Sequence, residues 1–519
     1  MMTTKQPGRR ALGGRPGRRR WLPGIVGIVV GLIGGAGLAG AYPPPSTDMI
    51  KVQAADWYHN MSQLVVANNS TGTRTWTGDP QIYAAPPVSL PPDPATNDDL
   101  LADDVAELID VNAPALDAQQ VTATLDETMS ALGLGHRMVV VDAATGATLY
   151  DRGGNDSVVP ASTLKLFTAI NLLEHLDTDH RFVTAAQYAP DHGVTLVGGG
   201  DGLLALGEST GSTVGYAGLA DLAQKTWDAI ADEVTSAGQA SVNVTVDVSR
   251  YAQPWLHPDW NEGLQAAGWV SPVYPINIYG GLTGHPAYAD TPVEDGAALA
   301  AHTYISHLNE LAGAAGAAVE FQYAGQTGQP IDADHVAEVR SAPLGRQLEY
   351  AMKQSNNMLF EMFGREAALA ADASPEFTGS TQSTVATLDE LGIATNQLGF
   401  VDNSGLSPRS RATLHTTVDL FELMLTNQQY RPLLHTLTVA GFDGTMQNRM
   451  TEAPYSGMVR TKTGTLEVAS SNAGLTVTPQ GRALWFAVNT TGGDGDYETA
   501  RAEQDHLVQV LTDCECTPE

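Results

Sequence analysis

From about residue 116 onward the apolar positions alternate or recur every three to four residues, the two periods that strands and helices impose. Val121, Leu125, Met129 and Leu132 share one face of a helix over Val121–Leu134. Met138–Val141 reads as a strand, Ala143-Ala144-Thr145-Gly146 supplies a turn, and Ala147–Tyr150 returns, which predicts a hairpin. Pro160 opens a helix over Ala161–Leu176 with Leu164, Phe167, Ile170, Leu173 and Leu176 inward. Glu294–Leu311 and Met358–Ala368 have helical spacing. Near the end Met458–Thr463, Gly474–Thr478 and Ala483–Asn489 alternate as strands, the last two joined through Pro479-Gln480-Gly481, and Glu498–Leu511 closes the chain as a helix. Helices and antiparallel strands from both ends of the body predict an α+β fold whose sheet draws on both termini. Residues 201–290, rich in Gly, Pro and aromatics, read as an inserted smaller domain that splits the body into 116–200 and 291–519.

The first 115 residues follow a different logic. Residues 1–20 carry Lys5, Arg9, Arg10, Arg15, Arg18, Arg19 and Arg20 and no acid; Trp21 to Tyr42 is then uncharged and largely apolar. Basic residues ahead of an apolar run stay on the cytoplasmic side. Residues 1–46 therefore read as an export signal or a retained membrane anchor, with Ala39-Gly40-Ala41 offering a cleavage site, and the rest as extracytoplasmic. Residues 47–115 read as an acidic stalk, preceded by Pro43-Pro44-Pro45 and broken by Ala85-Pro86-Pro87 and Pro91-Pro92-Asp93-Pro94.

Composition narrows the chemistry. With 27 basic against 58 acidic residues the net charge is −31, which excludes nucleic acid as a main partner. The sequence holds no CxxC pair, HExxH or Cys/His cluster, so neither a metal nor a cofactor is expected; Cys514 and Cys516 read as part of a tail. Lysine occurs six times, so a motif that demands it rarely arises by accident.

Two of those lysines sit in motifs. Ser162-Thr163-Leu164-Lys165 is the one Ser-x-x-Lys; at i and i+3 the two side chains share a helix face, where a neutral Lys could activate the Ser hydroxyl as a nucleophile. Lys462-Thr463-Gly464 lies in an apparent strand, where Gly permits close backbone approach and Lys offers a cation to a carboxylate and a like charge to hold Lys165 neutral. A third motif, Ser355-Asn356-Asn357, opens the Met358–Ala368 helix. Ser-x-Asn also occurs at Ser241/Asn243 and Ser470/Asn472, but Ser470 follows Lys462 and Ser241 sits in a Val-rich run of the apparent insert.

In this order the three motifs resemble the penicillin-recognising serine enzymes, and their spacing looks like the peptidase S13 family of D-alanyl-D-alanine carboxypeptidases, the class C low-molecular-mass penicillin-binding proteins. Leu196-Val197-Gly198-Gly199-Gly200-Asp201, Asp402-Asn403-Ser404-Gly405-Leu406-Ser407 and Ala440-Gly441-Phe442-Asp443-Gly444-Thr445 resemble further stretches of that family. Asn356 stands where the family often has Asp, Arg409-Ser410-Arg411 lacks the usual Asn, and one insert rather than two is expected. The resemblance implies a transpeptidase-like domain with an antiparallel sheet flanked by helices. It implies that Ser162 is acylated by a peptidoglycan stem peptide ending in D-Ala-D-Ala, or by a β-lactam. Lys165 would then be the base and Ser355 the proton relay. Asn357, Lys462, Thr463, Gly464 and Thr465 would bind substrate, with the Ser162 and Thr465 N–H groups as oxyanion donors. D,D-endopeptidase cleavage of cross-links is a second activity it admits. Three alternatives compete: a non-catalytic wall-binding relic, a β-lactamase, and an α/β-hydrolase with its nucleophile elbow at Gly207-Glu208-Ser209-Thr210-Gly211. All three motifs lie beyond the stalk. Removal of residues 1–46 should therefore leave a soluble protein that penicillin still labels; a monodisperse but unlabelled product on gel filtration would show that the removed segment contributes to the site.

Overall fold

The computed structural model describes residues 108–518 and Val105, except 261, 287–290 and 493–494. The expected signal or anchor at 1–46 and most of the stalk lie outside the described residues. Among the described residues, no helix is long and apolar enough to cross a membrane.

The chain runs α1 (Ala118–Ala131), β1 (Gly135–Asp142), β2 (Thr148–Arg152), a 3₁₀ turn (Ala161–Thr163), α2 (Leu164–His175), β3 (Val183–Ala189), β4 (Gly193–Val197), β5 (Asp201–Leu204), α3 (Leu219–Ser236), β6 (Ser241–Asp247), β7 (Ile276–Ile278), α4 (Gly296–Ala314), β8 (Glu320–Thr327) and β9 (Asp334–Arg340). It continues through α5 (Leu344–Lys353), α6 (Asn357–Ala370), α7 (Phe377–Glu390), α8 (Leu414–Thr426), β10 (Thr438–Val439), β11 (Arg460–Leu466), β12 (Ala469–Val477), β13 (Ala483–Thr491) and α9 (Tyr497–Thr512). Each helix and strand expected from periodicity is present, with ends displaced by a few residues.

The larger sheet is antiparallel throughout, in the order β10-β11-β12-β13-β1-β2. Both faces are covered, which is why β1 and β13 read as nearly continuous apolar runs. Successive side chains on a strand point to opposite faces. Met138 and Val140 of β1, with Leu484, Phe486 and Val488 of β13, meet Val121 and Leu125 of α1 and Leu507 of α9. Val139, Val141, Trp485 and Ala487 face the other way, into a core with Ile170 of α2, Phe360 of α6 and Phe421 of α8. Phe421 stacks on Trp485 at 5.3 Å between centroids. The fold is thus α+β, as expected.

A second, five-stranded sheet has the order β8-β6-β4-β3-β9, with parallel β4-β6 and β6-β8 pairs. Helices α3 and α4 provide the crossovers between the parallel strands, and Trp227, Ile230, Tyr304 and Leu308 fill a separate core with Val194, Val244 and Phe321. This sheet starts at Val183 and ends at Arg340, beyond both ends of the expected 201–290.

The C-terminus is not a free tail. Cys514 and Cys516 form a disulfide, both are buried in the core beneath α1 and α9, and the Cys516 carbonyl accepts from the Asp117 N–H at 2.7 Å. Nearby, Arg482 and Asp142 form a bidentate pair with both side chains 3% exposed; Nη1 of Arg482 also donates to the Ala113 carbonyl. Removing one partner of such a pair strands a buried charge. Asp142→Ala should cost about 3–5 kcal/mol, read from urea unfolding; a loss under about 1 kcal/mol would show that the pair contributes little here.

Candidate active site

Ser162 does not sit in the continuous helix that the spacing predicts. Ala161 takes φ +47°, so the chain enters through one 3₁₀ turn before α2 begins at Leu164. Two glycines hold that turn. A Cβ on Gly405 would lie 1.8 Å from the Ala161 carbonyl oxygen, and one on Gly464 would lie 2.5 Å from the Ser162 nitrogen. Only glycine lets the 402–407 loop and β11 press this close to the Ser162 backbone.

The α2 helix is buried all round rather than on one face. Every residue from Leu164 to Leu173 is inside, including Lys165, Thr168 and Asn171. Each polar side chain among them is therefore obliged to find a partner. Thr168 Oγ1 donates to the Asn403 carbonyl at 2.7 Å, and Asn171 bonds Thr384 and Thr387. Lys165 Nζ, fully buried, spends its three donors on Ser162 Oγ at 2.9 Å, Asn357 Oδ1 at 2.7 Å and the Ser404 carbonyl at 2.7 Å.

The second motif is a helix-to-helix joint. The Ser355 N–H donates to Met352 O and the Asn356 N–H to Ala351 O, the paired bonds that end a helix with a left-handed residue. Ser355 is that residue, at φ +53°, where glycine usually stands; a non-glycine there costs on the order of 1 kcal/mol. Asn356 caps α6 through its Oδ1 on the Leu359 N–H, while its Nδ2 donates to Gly280 O. Asn357 then points inward, bridging Lys165 and the carbonyl of the exposed Trp269 at 2.7 Å.

On β11, Lys462 Nζ donates to Ser355 Oγ at 2.9 Å and to the Thr463 carbonyl at 2.8 Å, and the side chain is fully buried. Thr463 Oγ1 meets Thr445 Oγ1 at 2.8 Å. Thr465 Oγ1 accepts from Arg501 Nε at 3.4 Å. The structure thus forms two hydrogen-bonded groups, Ser162–Lys165–Asn357 and Ser355–Lys462–Thr463, joined through the backbone of 355–357, with Gly464 against the Ser162 nitrogen and Thr465 next along the strand. Of the other Ser-x-Asn matches, Ser241 lies in β6 and Ser470 in β12.

Burial pushes Lys165 down to about 7, against the pull of Asp402 and Glu361. Burial, and then the Lys165 charge, push Lys462 well below the ordinary lysine range. For both lysines burial is the largest cause and repulsion between the two is mutual, so the expected pressure of Lys462 on Lys165 comes second to desolvation, while the carboxylates of Asp402 and Glu361 pull Lys165 the other way. Those carboxylates were not among the expected site residues. Burial and then Asp402 push Glu361 up to about 7, and burial likewise raises Asp402. Asn357, Glu361 and Arg365 recur every four residues along a helix whose residues 357–368 are all buried. That polar stripe is the signal that could have found Glu361.

Ser209 is an exposed residue in an irregular segment, its Oγ accepts from the Gly218 N–H at 3.0 Å, and no helix begins until Leu219. A nucleophile elbow needs a helix directly after the serine, so that alternative is excluded.

The family described as D-Ala-D-Ala carboxypeptidase 3 (S13) matches residues 118–324 and 283–514. Carboxypeptidase DacB of Mycolicibacterium smegmatis is 31% identical over 442 residues, 83% of this chain and 91% of that protein. The D-alanyl-D-alanine carboxypeptidase of Actinomadura sp. is 30% identical over 423 residues, 68% of this chain and 77% of that protein. The crystal structure of penicillin binding protein 4 (dacB) from Haemophilus influenzae shares the fold with a TM-score of 0.60 at 19% identity, covering 75% of this chain and 98% of that one. With its helices, sheets and three motifs inside the matched residues, the chain belongs to the D-Ala-D-Ala carboxypeptidase S13 family of serine peptidases.

Proposed function

We propose that the protein hydrolyses the terminal D-Ala-D-Ala bond of peptidoglycan stem peptides through an acyl-enzyme at Ser162. The observation that carries this reading is the 2.9 Å contact between Ser162 Oγ and a fully buried Lys165 whose proton is loosened to about 7. A base titrating near neutral pH is suited to deprotonate a hydroxyl at working pH. Ser162 Oγ adds to the carbonyl carbon of the penultimate D-Ala while its proton passes to Lys165 Nζ. The C–N bond then breaks, and the terminal D-Ala leaves with a proton relayed through Ser355 Oγ. Water cleaves the resulting ester. The Ser162 and Thr465 N–H groups serve as oxyanion donors, a term worth about 3–4 kcal/mol per donor. Asn357 holds the substrate amide. Thr463 and Lys462 take the terminal carboxylate, whose negative charge favours the protonated form of Lys462.

β-Lactams present the same carboxylate beside a strained amide and are assigned as covalent inhibitors; penicillin binding protein 4 from Haemophilus influenzae has been crystallised with a novel β-lactam. The basic and apolar residues 1–46 support an extracytoplasmic location, with residues 21–42 as anchor where the signal is retained. We assign the inserted layer to 183–340 rather than 201–290, following the ends of the second sheet.

Ser162→Ala should abolish covalent penicillin labelling and leave the fold intact, read by fluorescence on a gel beside near-UV circular dichroism. Labelling of a folded variant would refute the nucleophile. Mass analysis of muropeptides after incubation separates loss of one D-Ala from cleavage of cross-links. Acylation should rise with pH through about 7 as Lys165 loses its proton. Lys462→Ala should slow acylation by about 10- to 150-fold, the loss of one charge-assisted contact of about 1.5–3 kcal/mol. It should leave that rise near its wild-type position, because burial rather than the Lys462 charge is the largest cause of the lowering of Lys165. A rise displaced by a full unit would show that Lys462 is charged before substrate arrives.

A further inference from the structure

The catalytic reading uses the groups that line up between Ser162 and Lys462. It leaves unexplained why a carboxylate is buried behind Lys165. Glu361 projects from α6, one turn beyond Asn357, and is fully buried. It accepts hydrogen bonds from three N–H donors: the Asn403 backbone at 3.1 Å, the Asn403 side chain at 3.0 Å and the Ser404 backbone at 2.8 Å. The peptide that it grips at Ser404 is followed by the carbonyl that accepts from Lys165 Nζ at 2.7 Å. The route from Glu361 to Lys165 is therefore one residue of backbone. Asp402, on the same loop, accepts from the Gly405 and Ser407 N–H groups and from Trp260 Nε1, so the loop is pinned from both ends by carboxylates.

We propose that Glu361 is a positioning residue for the acylation step: it fixes the Ser404 carbonyl on Lys165 Nζ and supplies a negative charge that sets when Lys165 gives up its proton. The inference rests on the reading of Lys165 as the base. Three N–H donors suit the ionised carboxylate, whose two oxygens accept from all of them at once. Burial and Asp402 push in the opposite direction, up to about 7, and the donor set is what keeps the group from being raised further. The charges that face this cluster come from four elements: Lys165 on α2, Lys462 on β11, Asp402 on the loop, and Arg365 one turn further along α6. His257 faces Asp402 in turn.

The sign follows from these charges. A negative group beside Lys165 favours its ammonium and delays deprotonation to higher pH. Neutralising Glu361 should let Lys165 deprotonate earlier. The measurement is the acylation rate of the full chain by a fluorescent penicillin from about pH 5 to about pH 9, for wild type, Glu361→Gln and Glu361→Asp. Glu361→Gln keeps volume and one acceptor oxygen, so its acidic limb should move down by about one unit, the low end of what one close charge does. Glu361→Asp keeps the charge but withdraws it by one methylene from the Ser404 N–H. Its limb should stay in place while its plateau rate falls at least about tenfold through misplacement of the base. A residue that only stabilised the fold would lower the rate at every pH and leave the limb unmoved in both variants.

An unmoved limb in folded Glu361→Gln overturns the inference. So does a wild-type plateau in Glu361→Asp, which also carries the test if Glu361→Gln does not fold. Wild-type enzyme with no acidic limb, or labelled away from Ser162, overturns the reading of the site itself, whatever Glu361 does.

Discussion

Two amines buried without exposure in one site are the constraint from which the rest of the architecture follows. An ammonium loses most of its hydration on burial, and a second one nearby adds repulsion. The fold offsets this unequally. Lys165 is given a hydroxyl, an amide oxygen and a carbonyl, with Glu361 and Asp402 behind them; Lys462 is given a hydroxyl and the carbonyl of its own neighbour. Burial thereby pushes both amines below the ordinary lysine range, Lys165 to about 7. To maintain this, α2 and α6 are both enclosed on all sides.

The same constraint explains the strained backbone. Ala161 and Ser355 both adopt positive φ, each beside or at a residue of the site. Glycine would relieve either position. At 355 it would remove the hydroxyl that meets Lys462, and so the strain is tolerated for a contact that glycine cannot make. Ser355, Asn356 and Asn357 end one helix, start the next and reach the two lysines within three residues. The distance between Ser355 Oγ and Asn357 Oδ1 is therefore governed by a rigid joint rather than by a loop.

Scarce lysine is what made the site legible: Lys165 and Lys462 stand out in an acidic chain, and the serine three residues before Lys165 and the glycine two after Lys462 give each a mechanical reason to be there. The α+β class was legible as well, because β1 and β13 alternate between two apolar cores. What escaped was less local. Glu361 and Asp402 matter through a loop that is remote from both lysines in sequence. The 3₁₀ entry at Ala161 is imposed by Gly405 and Gly464, not by residues next to it. The ends of the second sheet escaped because β8 has one buried position in eight and β3 is built mostly from small and polar residues, so both resemble loops by composition. The Gly- and Pro-rich stretch between them drew the boundary inward.

The larger sheet places β1 between β2 and β13, and His136 meets Thr490 from 354 residues away. Such a pairing cannot form until almost the whole chain is available, and closing so long a loop is slow. The second sheet, by contrast, is built from one continuous stretch of chain and has its own core. Assembly is therefore ordered by sequence distance: the second sheet can condense early, while the hairpin of β1 and β2 waits with an open edge for the last strand to arrive. During that wait Met138 and Val140 lack the cover that α9 later gives them, so the interval before the C-terminus docks is when the chain is most exposed to aggregation.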